Sequence, residues 1–519
     1  MSSRRLQALT ALLLAGLVLP FLGKPVHVDD ANFLALAAGA HADCWRPHAV
    51  VLNWQGHAER AFDVLSNPPG IAWWLAPVVH APLPVQHLWM LPWLALAAWG
   101  AARLGRRFGG ASTPAVLLLL SSPFAVLAAQ ALTPDLPLLA LTLAGFAGFV
   151  AATDGGRPCA AAGWAAVAGS TVLFRYSGLA LLPLLVLYPL LHRRPVWPAL
   201  TGFLPLALLA AHDLSAYGQI HLLAMASFQS TAGSGWETFR KGAAALAMLG
   251  GAGLLPLLAV RGGRWSAGLA LLGAFVGVLA ARGSSLPPGA TTWTVACCAG
   301  GGALFGALTR GEDRSDKIFL GVWALGGLLF LLTLRFTAGR YWLPFLPALG
   351  LAWLRLHPPR ALLAASLGLQ AALALLLAVD DAAQARADQQ AARDVQVAAA
   401  GWPGPRSFAG HWGWQHALQA AGWTPIEDDA PLPAGSMLAV ADAPWPQRPA
   451  DGTCLELLWE RSYPGRHDGR WPGPRVHSAA GRANLHAFLV AGQPPLETYT
   501  PWSLAGDPRE HAALYRVCP

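Results

Sequence analysis

Residues 4–33 read RRLQALTALLLAGLVLPFLGKPVHVDDANF, and this stretch sets the class of the chain. Arg4 and Arg5 precede an apolar run from Leu6 to Leu22. A bilayer core about 30 Å thick is crossed by about 20 apolar residues in a helix. Only helices and closed barrels satisfy their backbone in lipid. The run is rich in Leu and Ala without period-2 alternation, so it reads as a helix. A secretory signal begins in the same way. Here, however, the chain continues Gly23-Lys-Pro-Val-His-Val-Asp29-Asp30 with no small-residue cleavage site, so the run is expected to remain as a first span.

The pattern repeats along the 519 residues, of which 55% are apolar and 12% charged. Soluble domains carry about 25% charged residues, and the deficit here lies in the apolar stretches. About thirteen spans are expected, at roughly 6–23, 85–102, 113–131, 134–152, 159–174, 177–191, 195–211, 242–260, 265–281, 292–309, 317–334, 341–356 and 360–379. With the N-terminus inside, the cytoplasmic loops contain Arg103, Arg106 and Arg107; Arg157; Arg193 and Arg194; Arg261 and Arg264; Arg310 to Lys317; and Arg355 to Arg360. All are short and basic, as the positive-inside rule requires. The net charge of +8 is therefore a topology signal. Its Arg residues form no basic face, and nucleic acid is not an expected partner.

Two segments on the other side are too long to be connectors. The loop 24–84 contains Phe33-Leu-Ala-Leu-Ala and Ile71-Ala-Trp73-Trp74-Leu, which suit helices at an interface. The tail 380–519 is richer in charge, Pro and Gly. It reads as a small extracytoplasmic α/β domain following a transmembrane domain over 1–379, with helices at 382–400 and 415–421 and a strand at Met437 to Ala441. Cys454 and Cys518 fall in this tail, where an oxidising compartment would permit a bridge. Cys297 and Cys298 lie inside an apolar run.

The candidate chemistry gathers at the outer edge. Asp29 and Asp30 stand where a lipid head group would present its cargo, and a carboxylate there can take a proton from an incoming hydroxyl. A free Asp, with a pKa of about 3.9, is a weak base, so burial and the like charge of its neighbour are expected to raise one of the two. Plain solvated charge is the competing reading. Ser66-Asn67-Pro68-Pro69-Gly70 is a stiff turn opening a helix, which accounts for the prolines but not for Asn67. Thr133-Pro134-Asp135 reads as a helix start with the acid near the positive end, or as a third acid facing the same cavity. Arg175-Tyr176-Ser-Gly interrupts an apolar stretch, where a buried Arg is a functional candidate; the flanking spans are expected to be partial and to meet near a cavity. Arg335 and Arg340-Tyr341-Trp-Leu-Pro-Phe-Leu-Pro end later spans. Snorkelling to the interface and phosphate binding compete for these arginines.

In this order, Asp29-Asp30, Asn67-Pro-Pro, Thr133-Pro-Asp135, Arg175-Tyr176 and Arg340-Tyr341-x-Leu-Pro-x-x-Pro resemble the GT-C superfamily over residues 1–360. They are similar to its dolichyl-phosphate-mannose–protein mannosyltransferases and to the lipid A aminoarabinose transferases. The resemblance implies a polytopic α-helical membrane protein of the bacterial inner membrane, with a GT-C-like fold. It implies a glycosyltransferase that moves a sugar from a polyprenyl-phosphate donor to a glycan, lipid or protein hydroxyl, with inversion. It assigns Asp29 or Asp30 as base, and Asn67, Asp135, Arg175, Tyr176, Arg340 and Tyr341 to substrate. The family's acid pair is usually Asp-Glu, and it often has Lys-Tyr where Arg175-Tyr176 stands. Some relatives use a divalent metal; no HxxxH-type cluster calls for one here, and the resemblance leaves a divalent metal open as cofactor. Phe408-Ala-Gly-His411-Trp-Gly-Trp-Gln415 resembles a motif of bacterial relatives' C-terminal domains, with His411 read as structural. The rival class is a transporter or flippase of a lipid-linked substrate, which would need ionisable residues at mid-membrane and often repeated halves.

Overall fold

Proline and glycine punctuate the helices of this chain, seen here in a computed structural model. Helices open at Pro123, Pro158 and Pro288, where the missing N–H costs nothing. Others close on left-handed Gly110 and Gly218. The structure describes residues 3–229, 235–254, 256–334, 338–444, 446–463, 475–476, 485–486, 498–504 and 508–518. Arg335 lies outside the described residues.

Six described helices are long and apolar enough to cross a membrane, and a bent pair makes a seventh. Three shorter apolar helices, Arg5–Phe21, Pro158–Leu173 and Tyr176–Leu191, accompany them. Thirteen full-length spans are therefore not what the helix lengths give, and the differences have local causes. The expected span 113–131 bends by 73° between Ser112–Leu120 and Pro123–Ala129, because Pro123 cannot donate a helical hydrogen bond and Ser122 Oγ instead caps the Ala125 N–H. The expected span 242–260 breaks into a π-helix at Leu249–Gly253. The region 341–356 is a 3-10 turn, Gly339–Trp342, followed by the nine-residue helix Leu346–Leu354. Helices 263–283 and 288–304 pack closely; a Cβ on Gly273 would stand 2.2 Å from the Cys298 carbonyl oxygen, the small-residue contact typical of helices in lipid.

The basic loops expected in the cytoplasm meet at one end. Arg107 donates to Asp154 at 2.7 Å and to Asp316 at 2.9 Å. The Tyr188 hydroxyl donates to Asp154, and His192 stands 3.3 Å from Asp316. Asp154 ends the 20-residue helix Asp135–Asp154, so Asp135 lies about 30 Å away at the other end. Arg107→Ala should lower stability by about 1–3 kcal/mol, discounted for the partial exposure of the pair. Thermal unfolding in detergent measures this, with the exposed Arg157→Ala expected to melt like the parent.

The expected span 360–379 and tail helix 382–400 are one continuous helix, Arg360–Ala398. At 39 residues it is about 58 Å long, nearly twice a bilayer core. The hydropathy drop at Asp380 is no helix break, because the Ala-, Gln- and Arg-rich sequence beyond it is strongly helix-forming. Residue 380 thus falls inside this helix, and Ala391 and Val395 from its far half join Trp414, Leu418, Phe408 and Leu514 in the core of the tail.

Besides the hairpin of β1 (Val51–Asn53) and β2 (Ala58–Arg60), the tail carries one sheet. Its strands are β3 (Arg406–Ala409), β4 (Thr424–Pro425), β5 (Met437–Ala441), β6 (Leu455–Tyr463) and β7 (Glu510–Val517), in the order β4-β3-β5-β7-β6. β4, β3 and β5 are parallel, and β7 is antiparallel to both its neighbours. The expected strand at Met437–Ala441 is β5, and a helix at Trp412–Ala420 covers the expected 415–421. Register Leu455↔Val517 sets Cys454 opposite Cys518, and the two form a disulfide.

Candidate active site

The first loop leaves its span with Lys24 and turns into the helix Asp30–Ala42, with Asp29 at its N-cap. This puts two adjacent acids in different surroundings. Asp30 is fully buried and both its oxygens are engaged, Oδ1 by the Leu132 N–H at 2.8 Å and Oδ2 by the His27 N–H at 3.2 Å. Asp29 keeps 16% of its side chain exposed, and Oδ2 accepts from Arg340 Nη2 at 2.5 Å. Burial, opposed by the Lys24 charge, pushes the Asp30 carboxyl up to about 6. Burial also acts to raise Asp29, but the Arg340 guanidinium, backed by Arg175, outweighs it and holds this carboxyl below the usual range. One acid of the pair is raised, as expected, through burial; it is the one whose oxygens are occupied by backbone.

Arg340 does not snorkel. It is 8% exposed, bound to Asp29, 3.9 Å from Asp135 and against the Tyr341 ring. Asp135 opens its helix, as expected, but its carboxylate turns to Arg175, which donates to it through Nη1. Arg175 sits in extended backbone between two short 3-10 stretches, Ser170–Leu173 and Tyr176–Leu181, so the chain breaks where the sequence places an Arg in an apolar run. An alternating chain of charge results: Asp29, Arg340, Asp135, Arg175. Tyr341 packs its ring under the Arg175 guanidinium at 4.6 Å.

A cavity of about 210 Å³ opens beside Arg175. Ser66, Asn67, Tyr176, Ser177 and Tyr341 line its polar end, and Leu179, Leu222, Met225, Phe330 and Leu334 line the rest. The Asn67 turn reaches it because Gly70 lies against the other wall; a Cβ there would stand 2.4 Å from the Leu173 carbonyl oxygen. Pro69 caps the helix Gly70–Leu75, as expected. Only Nη1 of Arg175 has a hydrogen bond among the described residues, and the buried Ser177 Oγ has none. Tyr176 is different. His221 Nε2 faces the Leu65 carbonyl at 2.9 Å and must donate to it. Burial pulls the His221 imidazole down to about 4, so Nδ1 is bare and accepts the Tyr176 proton at 2.7 Å. The Tyr176 oxygen therefore offers the cavity lone pairs only.

Thus Asp29, Asp135, Arg175, Arg340 and Tyr341 form one cluster, with Asn67 and Tyr176 on the adjoining cavity, while Asp30 shares a small cavity of about 20 Å³ with Asp135 and Arg340. Sequence reading missed His48, whose Nε2 holds the Asn67 carbonyl at 2.9 Å, and His221, because lone histidines in loops carry no pattern. It also missed a second ion cluster. Lys24 donates to Asp381 at 2.5 Å, His27 stands 3.4 Å from Asp381 and 3.5 Å from Asp388, and His486 lies 2.8 Å from Asp381. Asp380 bonds Arg509 and accepts from the Val476 N–H. This ties the first loop, the long helix and the tail together. Its signal was in the sequence: Asp380-Asp381 follows an apolar span much as Asp29-Asp30 follows the first. His411 is buried and neutral, pulled down to about 4 by burial, as a structural residue should be.

His27, Asp381 and His486 bring a ligand atom each within 4.8 Å of one another. The set does not fit a resident dication. The Lys24 ammonium already occupies one Asp381 oxygen. Although burial lowers it, His27 is lifted to about 9 by Asp381 and carries a proton where a metal needs a lone pair. A histidine raised from 6.5 to about 9 stabilises the fold below pH 6.5 and loses that contribution as pH rises through 9. It amounts to about 3 kcal/mol. Asp30, pushed up to about 6, is still partly protonated at the acid edge of this window and adds slope there, so the fall due to His27 is read above about pH 7.5. The melting temperature should fall between pH 6.5 and 9.5, and His27→Asn should flatten the profile; an equally steep profile in the variant would remove the clamp from His27.

No family model and no curated protein matches the chain. Among solved structures, the chain is similar to ArnT from Cupriavidus metallidurans. The crystal structure bound to undecaprenyl phosphate has 13% identity and a TM-score of 0.47, over 84% of this chain and 92% of that one. The apo structure has 15% identity and a TM-score of 0.38 over the same shares. Neither likeness bears on what this chain does.

Proposed function

We propose that the protein is a membrane glycosyltransferase of the GT-C kind, taking its sugar from a polyprenyl-phosphate donor. The observation that carries the reading is the alternating charge chain that runs from a largely buried Asp29 to an Arg175 with unspent donors over a half-apolar cavity. A lipid phosphate suits that cavity. The guanidinium and Ser177 Oγ would meet the phosphate oxygens, and the wall of Leu179, Leu222, Met225, Phe330 and Leu334 would take the first prenyl units.

Asp29 is the base in this reading. Its second oxygen has no hydrogen bond among the described residues, and it stays ionised near neutral pH. It would align the acceptor hydroxyl and take its proton late, as the bond to the anomeric carbon forms. The lipid phosphate departs from the opposite face, with inversion, and Arg175 holds the charge that grows on it. Arg340 orients Asp29 and Asp135 orients Arg175. Tyr176, able only to accept, would read a sugar hydroxyl. The cluster and the tail lie at the end away from the arginine-rich loops, and the positive-inside rule supports a reading with both outside the cytosol, in a chain of about thirteen crossings, some of them partial.

The test offers polyprenyl-phosphate sugars to purified protein in nanodiscs and follows release of lipid phosphate. Release that depends on an acceptor is expected. Movement of intact donor across a sealed vesicle without release would mark a flippase instead.

A further inference from the structure

A second cavity, of about 430 Å³, lies apart from the Arg175 cavity and shares no residue with it. It falls in the range of about 300–1,000 Å³ usual for small-molecule sites. Three parts of the fold build it: the first-loop helix through Asn32 and Ala38, the start of the helix Leu83–Gly109 through Gln86, and the tail helix through Gln415 and Gln419. Carboxamides from all three converge, together with His80 and His416. No Asp, Glu, Lys or Arg lines it.

One buried carboxamide is fixed in place and has an unmet acceptor. Gln86 is 4% exposed, and its amide nitrogen donates to the Val79 carbonyl at 3.0 Å and the Ala81 carbonyl at 2.8 Å. Both N–H groups are spent, which fixes the orientation and leaves Oε1 as a buried acceptor without a partner. Gln415, also 4% exposed, has its carboxamide beside the His411 imidazole, so the unmet acceptor is that of Gln86.

We propose that this cavity binds an uncharged, hydroxyl-rich ligand, a neutral sugar residue. An anion or cation would be desolvated there with no counter-charge. A wholly apolar ligand would leave the Gln86 oxygen unpaired. Adjacent sugar hydroxyls, each donor and acceptor at once, match a carboxamide, and Leu34, Leu52 and Leu83 supply apolar wall for the C–H face. The site stands whether or not the Asp29 cluster transfers sugars.

The experiment is ligand-observed saturation-transfer NMR on the full chain in nanodiscs. The probes are methyl α-glucoside and N-acetylglucosamine, with glucuronate and N-acetylalanine methylamide as charged and peptide-like comparators. At least one neutral sugar should bind, more tightly than either comparator. Gln86→Met and Gln415→Met should each weaken it by about five- to tenfold. Since Gln86→Met also strips two backbone carbonyls of their donor, Ala38→Phe provides a second variant. It fills the cavity from an exposed helix position, and should abolish binding with an unchanged melting temperature. Arg175→Gln should leave sugar binding unaltered. The proposal fails if no neutral sugar binds the parent, if binding survives Ala38→Phe, if Arg175→Gln removes it, or if the peptide analogue binds as tightly.

Discussion

Asp29→Asn should reduce sugar transfer by about 10²–10⁴-fold, the contribution of a general base, while the protein continues to fold and to bind donor. The change keeps size and hydrogen bonding but removes the charge that Arg340 holds. Because that carboxyl sits below the usual carboxylate range, the parent's activity should be flat from neutral pH down to pH 5 if Asp29 is the titrating base. A base like Asp30, at about 6, would instead impose a fall beginning near pH 7. Asp30→Asn should act on stability before turnover, since the Leu132 and His27 N–H groups lose their carboxylate. Single-turnover release of lipid phosphate, run beside melting curves, separates the two. Full turnover in Asp29→Asn with loss in Asp30→Asn would reverse the roles.

The largest stability effect is expected at Arg340. Replacing it with Gln leaves Asp29 without its partner and Asp135 with Arg175 alone. Breaking a buried ion pair from one side costs about 3–5 kcal/mol, because the remaining charge is stranded. Asp29 would also lose the influence that keeps it ionised, so transfer should fall further than stability explains, with an acid limb shifted toward neutral pH. Adding Asp29→Asn to Arg340→Gln should restore much of the melting temperature while leaving the enzyme inactive. That recovery identifies a stranded charge rather than lost packing. A single variant that melts like the parent would show the pair to be incidental.

The site was legible in part. Asp29, Asp135, Arg175, Arg340 and Tyr341 could be listed from sequence because each interrupts or ends an apolar run, where an ionisable group is expensive and needs a reason. Their pairing could not, since Asp29 and Arg340 are 311 residues apart. The same limit applied to the span list. Runs of hydropathy located the helical segments, but not the 73° bend at Pro123 or the extension of the last helix past Asp380. There charge neutralised by distant partners lets a helix run on through a polar boundary.

Local physics therefore gave the class: apolar length gives helices suited to lipid, and arginine placement supports a reading of which ends face inward. Two neighbouring aspartates look alike to any such reading. They differ in what the fold brings to them, two backbone N–H groups for Asp30 and a guanidinium for Asp29. That difference arises largely from contacts made by Leu132 and Arg340, 102 and 311 residues away, and it shifts the two carboxyls in opposite directions.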